Sequence, residues 1–172
     1  MSATQSGSPV LTGGCQCGAV RFATYVMPAR TVLCHCRMCQ KAVGGPFAVY
    51  TDVPLAQFAW TRGTPAVWRS SSRAERDFCA RCGTPLSWRR IGHSGIDLLT
   101  GTFDRPDKLV PSHAVGLEGQ ASWLADLLRI PSKTTAESIG AEQEARIVNY
   151  QHPDRNMDAS WTPDTTRERG KP

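Results

Sequence analysis

The spacing of the cysteines constrains this chain more than any other feature. The seven cysteines fall into groups spaced C-x-C, C-x-C-x-x-C and C-x-x-C: Cys15 and Cys17; Cys34, Cys36 and Cys39; Cys79 and Cys82. Closely spaced thiols are the usual way to present several sulfur ligands to one soft metal ion. Seven divides naturally into four plus three, since four thiolates close a tetrahedral zinc site and three leave one position open. The spacing therefore predicts one structural metal site and one site able to do chemistry.

Two other uses of the cysteines fit the pattern less well. A disulfide framework usually has an even count and an oxidising compartment, and Cys15 and Cys17 are too close in sequence for good disulfide geometry. A redox dithiol at Cys79 and Cys82 is conceivable, because C-x-x-C can be an exchange motif. That pair stands in F-C-x-x-C-G, however, a pattern typical of a zinc knuckle whose glycine permits a tight turn. We therefore favour metal binding.

Composition and charge limit the classes of partner that this chain could bind. The chain has 172 residues, 40% of them apolar, which is enough for one domain with a real core. No basic region followed by an apolar run opens the sequence, and no run approaches the ~20 apolar residues of a membrane span. We therefore expect a soluble, cytoplasmic protein. Of the 20 basic residues, seven arginines fall between positions 61 and 90, which would attract an anionic small molecule. No recognition-helix pattern favours nucleic acid.

Short β-strands dominate the first 110 residues. Gly and Pro separate runs of alternating or β-rich composition. The predicted strands cover residues 18–24, 47–51, 58–61, 66–70, 74–78, 85–89 and 96–103. The pattern predicts a mainly β domain.

Helices are predicted only towards the C-terminus. Trp123, Leu124, Leu127 and Leu128 form one apolar stripe, which predicts a helix over 120–128 that ends before Pro131. A second, weaker helix is predicted over 135–148. From Gln151 onward the chain is polar and Pro-containing, so we expect an extended or disordered tail that Trp161 could anchor. The expected division is a flexible N-terminus over 1–10, a zinc-binding β domain over 11–131 and an extension over 132–172.

Three motifs in order resemble a known family. They are G-G-C-Q-C-G-A-V-R-F (13–22), L-C-H-C-R-M-C-Q-K-A-V-G-G-P-F (33–47) and R-D-F-C-A-R-C-G-T-P-L (76–86). With His113 and Trp123, they resemble the glutathione-dependent formaldehyde-activating enzyme family, which includes centromere protein V-like proteins. The resemblance spans roughly residues 11 to 130. Residues 114–120, A-V-G-L-E-G-Q, are glycine-rich and acidic where the family often has a basic or polar stretch.

The resemblance implies an Mss4-like, β-tent fold with two zinc ions per chain. In that arrangement Cys15, Cys17, Cys79 and Cys82 form the structural zinc site. Cys34, Cys36 and Cys39 then form the second, open site. The division agrees with the four-plus-three count reached from the spacing alone.

The resemblance also implies a reaction, the condensation of glutathione with formaldehyde to S-(hydroxymethyl)glutathione by a carbon–sulfur lyase or synthase. The partners would be a small-molecule thiol and an electrophile, with glutathione as co-substrate and its sulfur held as thiolate at the open position. The catalytic candidates are Cys36, as a thiol that leaves the metal and reacts itself, and His35 and His113, as proton carriers. Lys41, Arg73 and Arg76 are candidates for holding carboxylates.

Two rival interpretations use the same residues. A non-catalytic glutathione carrier needs the same open zinc site and no chemistry. A zinc-built interaction domain is the third interpretation, for which His35 or His113 would supply a fourth ligand to the middle cluster. Three cysteines there, rather than four ligands, favour an enzyme or a carrier.

Overall fold

Two β-sheets form the body of the molecule in the computed structural model, which describes residues 7–157 and 160–162. A three-stranded antiparallel sheet has the order β1-β2-β5, and a seven-stranded sheet has the order β10-β3-β4-β9-β8-β7-β6. All neighbours in the larger sheet are antiparallel except β10 and β3, which run parallel. The described chain contains no helix long and apolar enough to cross a bilayer. The prediction of a mainly β domain is confirmed.

The elements are short throughout. The strands are β1 (Leu11–Gly14), β2 (Arg21–Thr24), β3 (Arg30–Cys34), β4 (Ala48–Pro54), β5 (Phe58–Arg62), β6 (Ala66–Arg69), β7 (Ala74–Phe78), β8 (Pro85–Arg90), β9 (Gly95–Leu99) and β10 (His113–Val115). The α-helices are α1 (Arg37–Val43), α2 (Thr135–Ile139) and α3 (Ala141–Ala145). Short 3-10 helices cover Leu55–Gln57, Thr100–Thr102, Pro106–Lys108, Leu117–Gly119 and Ser122–Arg129.

Alternating apolar residues of the two sheets meet to form the main core. Phe22 of β2 is fully buried and touches the rings of Phe58, Trp60 and Phe103 at centroid distances of 5.0–6.1 Å. Val53 of β4, with Ile96 and Leu98 of β9, supplies the facing aliphatic side. Burying one such side chain contributes about 1.5–3 kcal/mol, so this aromatic and aliphatic layer holds the sheets together.

A buried ion pair joins the smaller sheet to the chain beyond β9. Arg21 contacts Asp104 through both terminal nitrogens, at 3.0 and 2.5 Å, and both side chains are buried. The Thr12 hydroxyl donates a further hydrogen bond to the same carboxylate. A bidentate pair with an added donor satisfies the charges that burial takes out of water, so it fixes β1 and β2 against this segment.

Strand register brings both cysteine groups to one end of the larger sheet. Cys34, the last residue of β3, lies opposite Ala48 at the start of β4. Phe78, the last residue of β7, lies opposite Pro85 at the start of β8, and Cys79 follows it directly. The loops at this end therefore carry the chemistry-bearing residues, while the opposite end has none of the cysteines.

The helices differ most from the sequence-based expectation. α1 was not predicted, because its seven residues carry the cysteine motif rather than an apolar stripe. The apolar stripe near residue 123 forms a 3-10 helix, Ser122–Arg129, without a side-chain cap, and Leu128 is 99% exposed. The predicted helix over 135–148 is two pieces, since Gly140 with a φ of 89° separates α2 from α3.

The predicted termini fall partly outside the described residues. Residues 1–6 of the expected flexible N-terminus and residues 158–159 and 163–172 of the expected tail lie there. Within the described part, the Val10 amide donates to the Thr24 carbonyl at 2.8 Å. Arg62 donates to the Trp161 carbonyl at 2.8 Å, so Trp161 does contact the β domain. The boundary after residue 131 stays a prediction.

Candidate metal centres and their surroundings

Four cysteines from distant parts of the chain converge at the end of the larger sheet. Cys15 and Cys17 follow β1, and Cys79 and Cys82 occupy the turn between β7 and β8. Their four Sγ atoms all lie within 4.8 Å of one another, with 3.6 Å between Cys15 and Cys17 and 3.9 Å between Cys17 and Cys79. We call this group the four-cysteine cluster.

Hydrogen bonds already orient the sulfurs of this cluster. The Val20 amide donates to the Cys15 Sγ at 3.2 Å, and the Cys82 Sγ lies 3.1 Å from the Thr84 hydroxyl. Burial raises the pKa of Cys15 to about 12. Burial acts in the same direction on Cys82, but hydrogen bonds from the Thr84 hydroxyl and backbone outweigh it and lower its pKa to about 6. Donors aimed at sulfur favour the thiolate form that a metal requires.

Three further cysteines form a separate group around the start of α1. Cys34 ends β3, Cys36 is the N-cap residue of α1, and Cys39 is buried in its first turn. Their Sγ atoms lie within 4.8 Å of one another, and those of Cys34 and Cys36 are 3.5 Å apart. Among the described residues, no other His, Cys, Asp or Glu joins this group. We call it the three-cysteine cluster.

The sulfur separations fit a tetrahedral zinc ion. Zn–S bonds of about 2.3 Å place tetrahedral sulfurs about 3.8 Å apart. Three sulfur pairs lie 3.5, 3.6 and 3.9 Å apart, and all pairs within each cluster lie within 4.8 Å. A disulfide requires about 2.05 Å, and all seven cysteines are free thiols. The four-cysteine cluster can thus supply a complete ligand shell, and the three-cysteine cluster can supply all but one ligand.

A buried arginine and a buried tyrosine hold Cys39. Arg76 of β7 donates from Nη2 to the Cys39 Sγ at 3.5 Å and from Nη1 to the Tyr50 hydroxyl at 2.7 Å. The Tyr50 hydroxyl in turn donates to the same sulfur at 3.7 Å. Burial alone would raise the pKa of Cys39, but the bonds from Arg76 and Tyr50 outweigh it and lower the pKa. Arg76 and Tyr50 therefore fix the position and the ionisation of this thiol.

Charge explains why an arginine is placed there. Three thiolates around a divalent ion leave one net negative charge, which is costly inside a protein. Arg76, a residue only 9% exposed, adds one positive charge beside Cys39 through its guanidinium. The cluster and Arg76 together are then neutral, so a metal in this position needs no further counter-charge.

The predicted proton carriers lie near the three-cysteine cluster but not in it. His35 is 3% exposed, packs against Phe47 at 5.6 Å between ring centroids, and its Nδ1 has no hydrogen-bond partner among the described residues. His113 of β10 is exposed, pairs with Val32 of β3, and its Nδ1 lies 3.0 Å from the Ser112 hydroxyl. The catalytic roles of His35, His113 and Cys36 stay predictions.

The arginine-rich segment does not form one uniform patch. Arg76 points into the molecule, and Arg89 is held by Asp77 at 2.9 Å and by Glu75 at 3.3 Å. Lys41 and Arg73, the other predicted carboxylate-binding residues, are exposed. The composition of the segment therefore overstates the positive charge available to a ligand.

The glycine-rich segment after β10 packs against the three-cysteine cluster. Gly116 has a φ of 69°, and a Cβ there would stand 2.7 Å from the Cys36 amide nitrogen. A Cβ at Gly119 would stand 2.5 Å from the His35 carbonyl oxygen, and that segment is tied to α1 because Gln40 donates to the Gly119 carbonyl at 2.7 Å. Only glycine allows this approach. This close packing is the structural reason for the glycines within residues 114–120, where the sequence departs from the family pattern, and composition alone did not reveal it.

The C-terminal extension lies against the four-cysteine cluster. The His152 amide donates to the Gln16 carbonyl at 2.8 Å, and the His152 ring, 7% exposed, contacts Trp161 at 4.6 Å between centroids. A Cβ at Gly18 would stand 2.4 Å from the His152 ring. The chain around 147–151 lines a further cavity with Cys17 and Cys82. The extension therefore covers part of this cluster.

Known proteins share these features. The profile of the family described as "Glutathione-dependent formaldehyde-activating enzyme" matches residues 10–118. The chain belongs to this family. The match includes all seven cysteines, both clusters and Arg76, and it confirms the resemblance read from the three motifs.

Individual relatives are distant. A protein of Halomonas elongata named "Putative glutathione-dependent formaldehyde-activating enzyme" is 28% identical over 155 residues, covering 80% of this chain and 96% of that protein. An uncharacterized lyase of Schizosaccharomyces pombe is 30% identical over 78 residues, which are 45% of this chain and 56% of the yeast protein's length. Family membership and these names support an enzyme of the lyase type at the level of the family.

A solved structure shares the fold. The crystal structure of a Rhodobacter sphaeroides protein superposes with a TM-score of 0.50 at 20% identity, covering 60% of this chain and 99% of that one. At this identity the likeness concerns the fold alone. The mainly β, Mss4-like β-tent architecture implied by the resemblance is confirmed, with cysteine clusters able to hold zinc.

Proposed function

We propose that this protein is a zinc-dependent carbon–sulfur lyase or synthase that joins glutathione reversibly to formaldehyde or a related small aldehyde. The observation that supports it most directly is the incomplete ligand set of Cys34, Cys36 and Cys39 beside the complete set of four. Catalytic zinc sites commonly keep one position for water or substrate, whereas structural sites are closed. Two zinc ions per chain follow from the two sets.

The protein's own residues have defined roles in this proposal. Zinc in the three-cysteine cluster would keep a bound thiol ionised near neutral pH. Cys34, Cys36 and Cys39 hold the ion, Tyr50 and Arg76 fix Cys39, and Arg76 offsets the negative charge of the sulfurs. Since thiols add to aldehydes easily, positioning and proton transfer are the contributions left to the enzyme.

Proton transfer is assigned to histidine. His35, with its buried and unpartnered Nδ1, and His113, exposed on β10, are the proposed proton carriers, and direct reaction of the Cys36 thiol is the alternative route. The proton released by the thiol must reach the aldehyde oxygen, and an imidazole ring can accept a proton at one nitrogen and donate one from the other. We also propose a cytoplasmic location, because free thiols persist where the cell keeps them reduced.

Exchange spectroscopy measures how fast glutathione and its formaldehyde adduct interconvert. It can therefore test the proposal even though the uncatalysed reaction is rapid. The rate of exchange between free glutathione and its formaldehyde adduct should rise above the uncatalysed rate in proportion to the concentration of zinc-loaded protein. Cys36→Ser should abolish that increase and lower the zinc content from two to one. Met38→Ser on the exposed side of the same helix is the matched control, since Met38 is 64% exposed. Glutathione binding without faster exchange would identify a carrier and overturn the enzyme.

A further inference from the structure

An apolar cleft opens beside the three-cysteine cluster. Its volume is about 410 Å³, within the range of small-molecule sites. Val43 of α1 and Leu99 of β9 line it and also pack against the buried group that contains Cys39 and Tyr50. On the outer side it is lined by Val67 and Trp68 of β6, which are 53% and 61% exposed. None of the three cysteines lines the cleft itself, but Arg76, which lines it, bonds the Cys39 sulfur at 3.5 Å.

The two charged residues that line the cleft are occupied elsewhere. Both terminal nitrogens of Arg76 are engaged, one by the Tyr50 hydroxyl and one by the Cys39 sulfur. Asp77 accepts hydrogen bonds from Arg89 at 2.9 Å to each carboxylate oxygen and from the Ser87 hydroxyl. The other described lining residues carry no ionisable group. A charged ligand group entering this space would lose hydration and find only these two side chains, both already bonded, as charged partners.

This lining discriminates between the two reactants of the proposed function. Glutathione carries two carboxylates and an ammonium group, and such groups bind where arginine or lysine can pair with them. In the described lining of the cleft the one such residue is Arg76, which already bonds Tyr50 and Cys39. Formaldehyde has no substituent, so it would leave the apolar walls in contact with water. A hydrocarbon group fits the lining, because burying it removes apolar surface from water on both sides.

We propose that this cleft holds the hydrocarbon substituent of the electrophile, so that the preferred substrate is an aldehyde bearing an alkyl or aryl group about the size of pentyl or phenyl. The inference rests on the proposed function, since it assigns the thiol to glutathione and the cleft to its reaction partner. Trp68 becomes a specificity-determining residue. It lies opposite Arg76 in the β6–β7 register, on the same face of the sheet.

The reaction balances without an additional reagent. A carbon–sulfur bond forms between the glutathione sulfur and the aldehyde carbon, and the π bond of the carbonyl breaks. Its electron pair goes to the oxygen, which receives the proton given up by the thiol. Nothing is oxidised or reduced, and the product is a hemithioacetal that carries the hydrocarbon group on its carbon.

A comparison of two aldehydes tests the inference. Exchange of glutathione with formaldehyde and with hexanal is followed by NMR on the zinc-loaded, full-length protein, and each kcat/KM is divided by the uncatalysed rate constant. We expect the normalised value for hexanal to exceed that for formaldehyde by about tenfold or more, because each buried methylene multiplies binding by about fourfold. Trp68→Ala should reduce this ratio by about tenfold. Trp123→Ala, which removes a tryptophan 50% exposed outside the cleft, should leave it unchanged.

A binding measurement separates this inference from the proposed function. Unreactive 1-hexanol should shift the tryptophan emission of the wild-type protein to shorter wavelength, because it displaces water from Trp68, and Trp68→Ala should remove this shift, whatever the catalytic activity. Faster exchange with formaldehyde, no preference for hexanal and no hexanol binding would overturn the cleft assignment and leave the proposed function standing. Hexanol binding at Trp68 without exchange on either aldehyde would support the cleft as a hydrocarbon site and overturn the proposed function.

Discussion

The four-cysteine and three-cysteine clusters occupy the same end of one sheet but differ in how they are enclosed. In the first, Cys15 and Cys79 are 2% and 1% exposed, and the C-terminal extension packs over the neighbouring turn. In the second, Cys39 is buried while Cys34 and Cys36 are partly exposed, and Arg76, which bonds Cys39, lines an open cleft. The first draws its ligands from two distant segments and the second from six consecutive residues. Ligands from distant segments hold a fold together, whereas ligands a few residues apart, here at the junction of β3 and α1, can serve chemistry without supporting the fold.

Removing one cysteine ligand from each cluster in turn should give the largest difference in stability between two variants. Cys82→Ser is expected to abolish cooperative unfolding, because a structural zinc site contributes on the order of 10 kcal/mol and a domain is stable by about 5–15 kcal/mol. Cys36→Ser should keep the fold and lose one zinc. Thermal melts followed by circular dichroism, with zinc counted by mass spectrometry, provide the check. If both variants unfold alike, the division of labour between the clusters is wrong.

Arg76→Gln should weaken metal binding in the three-cysteine cluster alone. The substitution removes a buried positive charge next to Cys39 and leaves the Tyr50 hydroxyl without its donor. We expect zinc affinity there to fall by at least about tenfold, since hydrogen bonds to charged groups are worth about 1.5–3 kcal/mol. Competition with a chromophoric chelator measures it, and Arg73→Gln, three residues earlier and exposed, is the control. Equal loss from both clusters would show general destabilisation.

His152→Ala should instead weaken zinc retention in the four-cysteine cluster. The ring fills the space above Gly18 and contacts Trp161, so its removal costs about 1 kcal/mol of stability and exposes the turn at Cys17. Zinc should leave this cluster several-fold faster in the presence of chelator. Stopped-flow release from the wild type, His152→Ala and the exposed His93→Ala gives the comparison. Unchanged release would mean that the extension does not protect the metal.

Asp97→Asn should change the free energy of unfolding without changing zinc binding at either cluster. Burial, reinforced by Asp52, raises the pKa of Asp97 to about 6 from its ordinary 3.8. Ionised Asp97 therefore lowers the stability of the folded state. The full loss applies above about pH 6, it becomes smaller as the pH falls towards 3.8, and it is absent below pH 3.8. The variant should be more stable by about 1–2 kcal/mol at pH 7, allowing for partial solvent screening, and no more stable at pH 3.5. Urea unfolding at both pH values measures this, and a gain that persists at pH 3.5 would contradict it.

The sequence predicted features that depend on local spacing. The four-plus-three grouping of thiols follows from short motifs, because ligands a few residues apart must reach the same ion. Strands in which apolar and polar residues alternate were also predicted, and the structure gives β7 the predicted bounds, residues 74–78. Arg30–Cys34 was missed, since it leads into a cysteine motif and shows no clear alternation.

Contacts between distant residues could not be predicted in this way. Cys39 meets Tyr50 and Arg76, which lie 11 and 37 residues further along the chain, and only the register of β4, β9, β8 and β7 brings them together. The sequence placed Arg76 in a basic segment, yet it cannot show that its guanidinium points inward. The cleft is equally non-local, because α1 and strands β6 to β9 all contribute lining residues.

The 62 residues that separate Cys17 from Cys79 also have a consequence during synthesis. At about 5–20 residues per second, Cys17 emerges roughly 3–12 s before Cys79. In that interval the growing chain offers a metal five thiols, two from the first motif and three from the second, and none of the final partners of the first motif. A zinc ion captured early by Cys15 or Cys17 together with thiols of the second motif must therefore change partners before the four-cysteine cluster can close, so exchange of ligands on the nascent chain becomes part of how this protein matures.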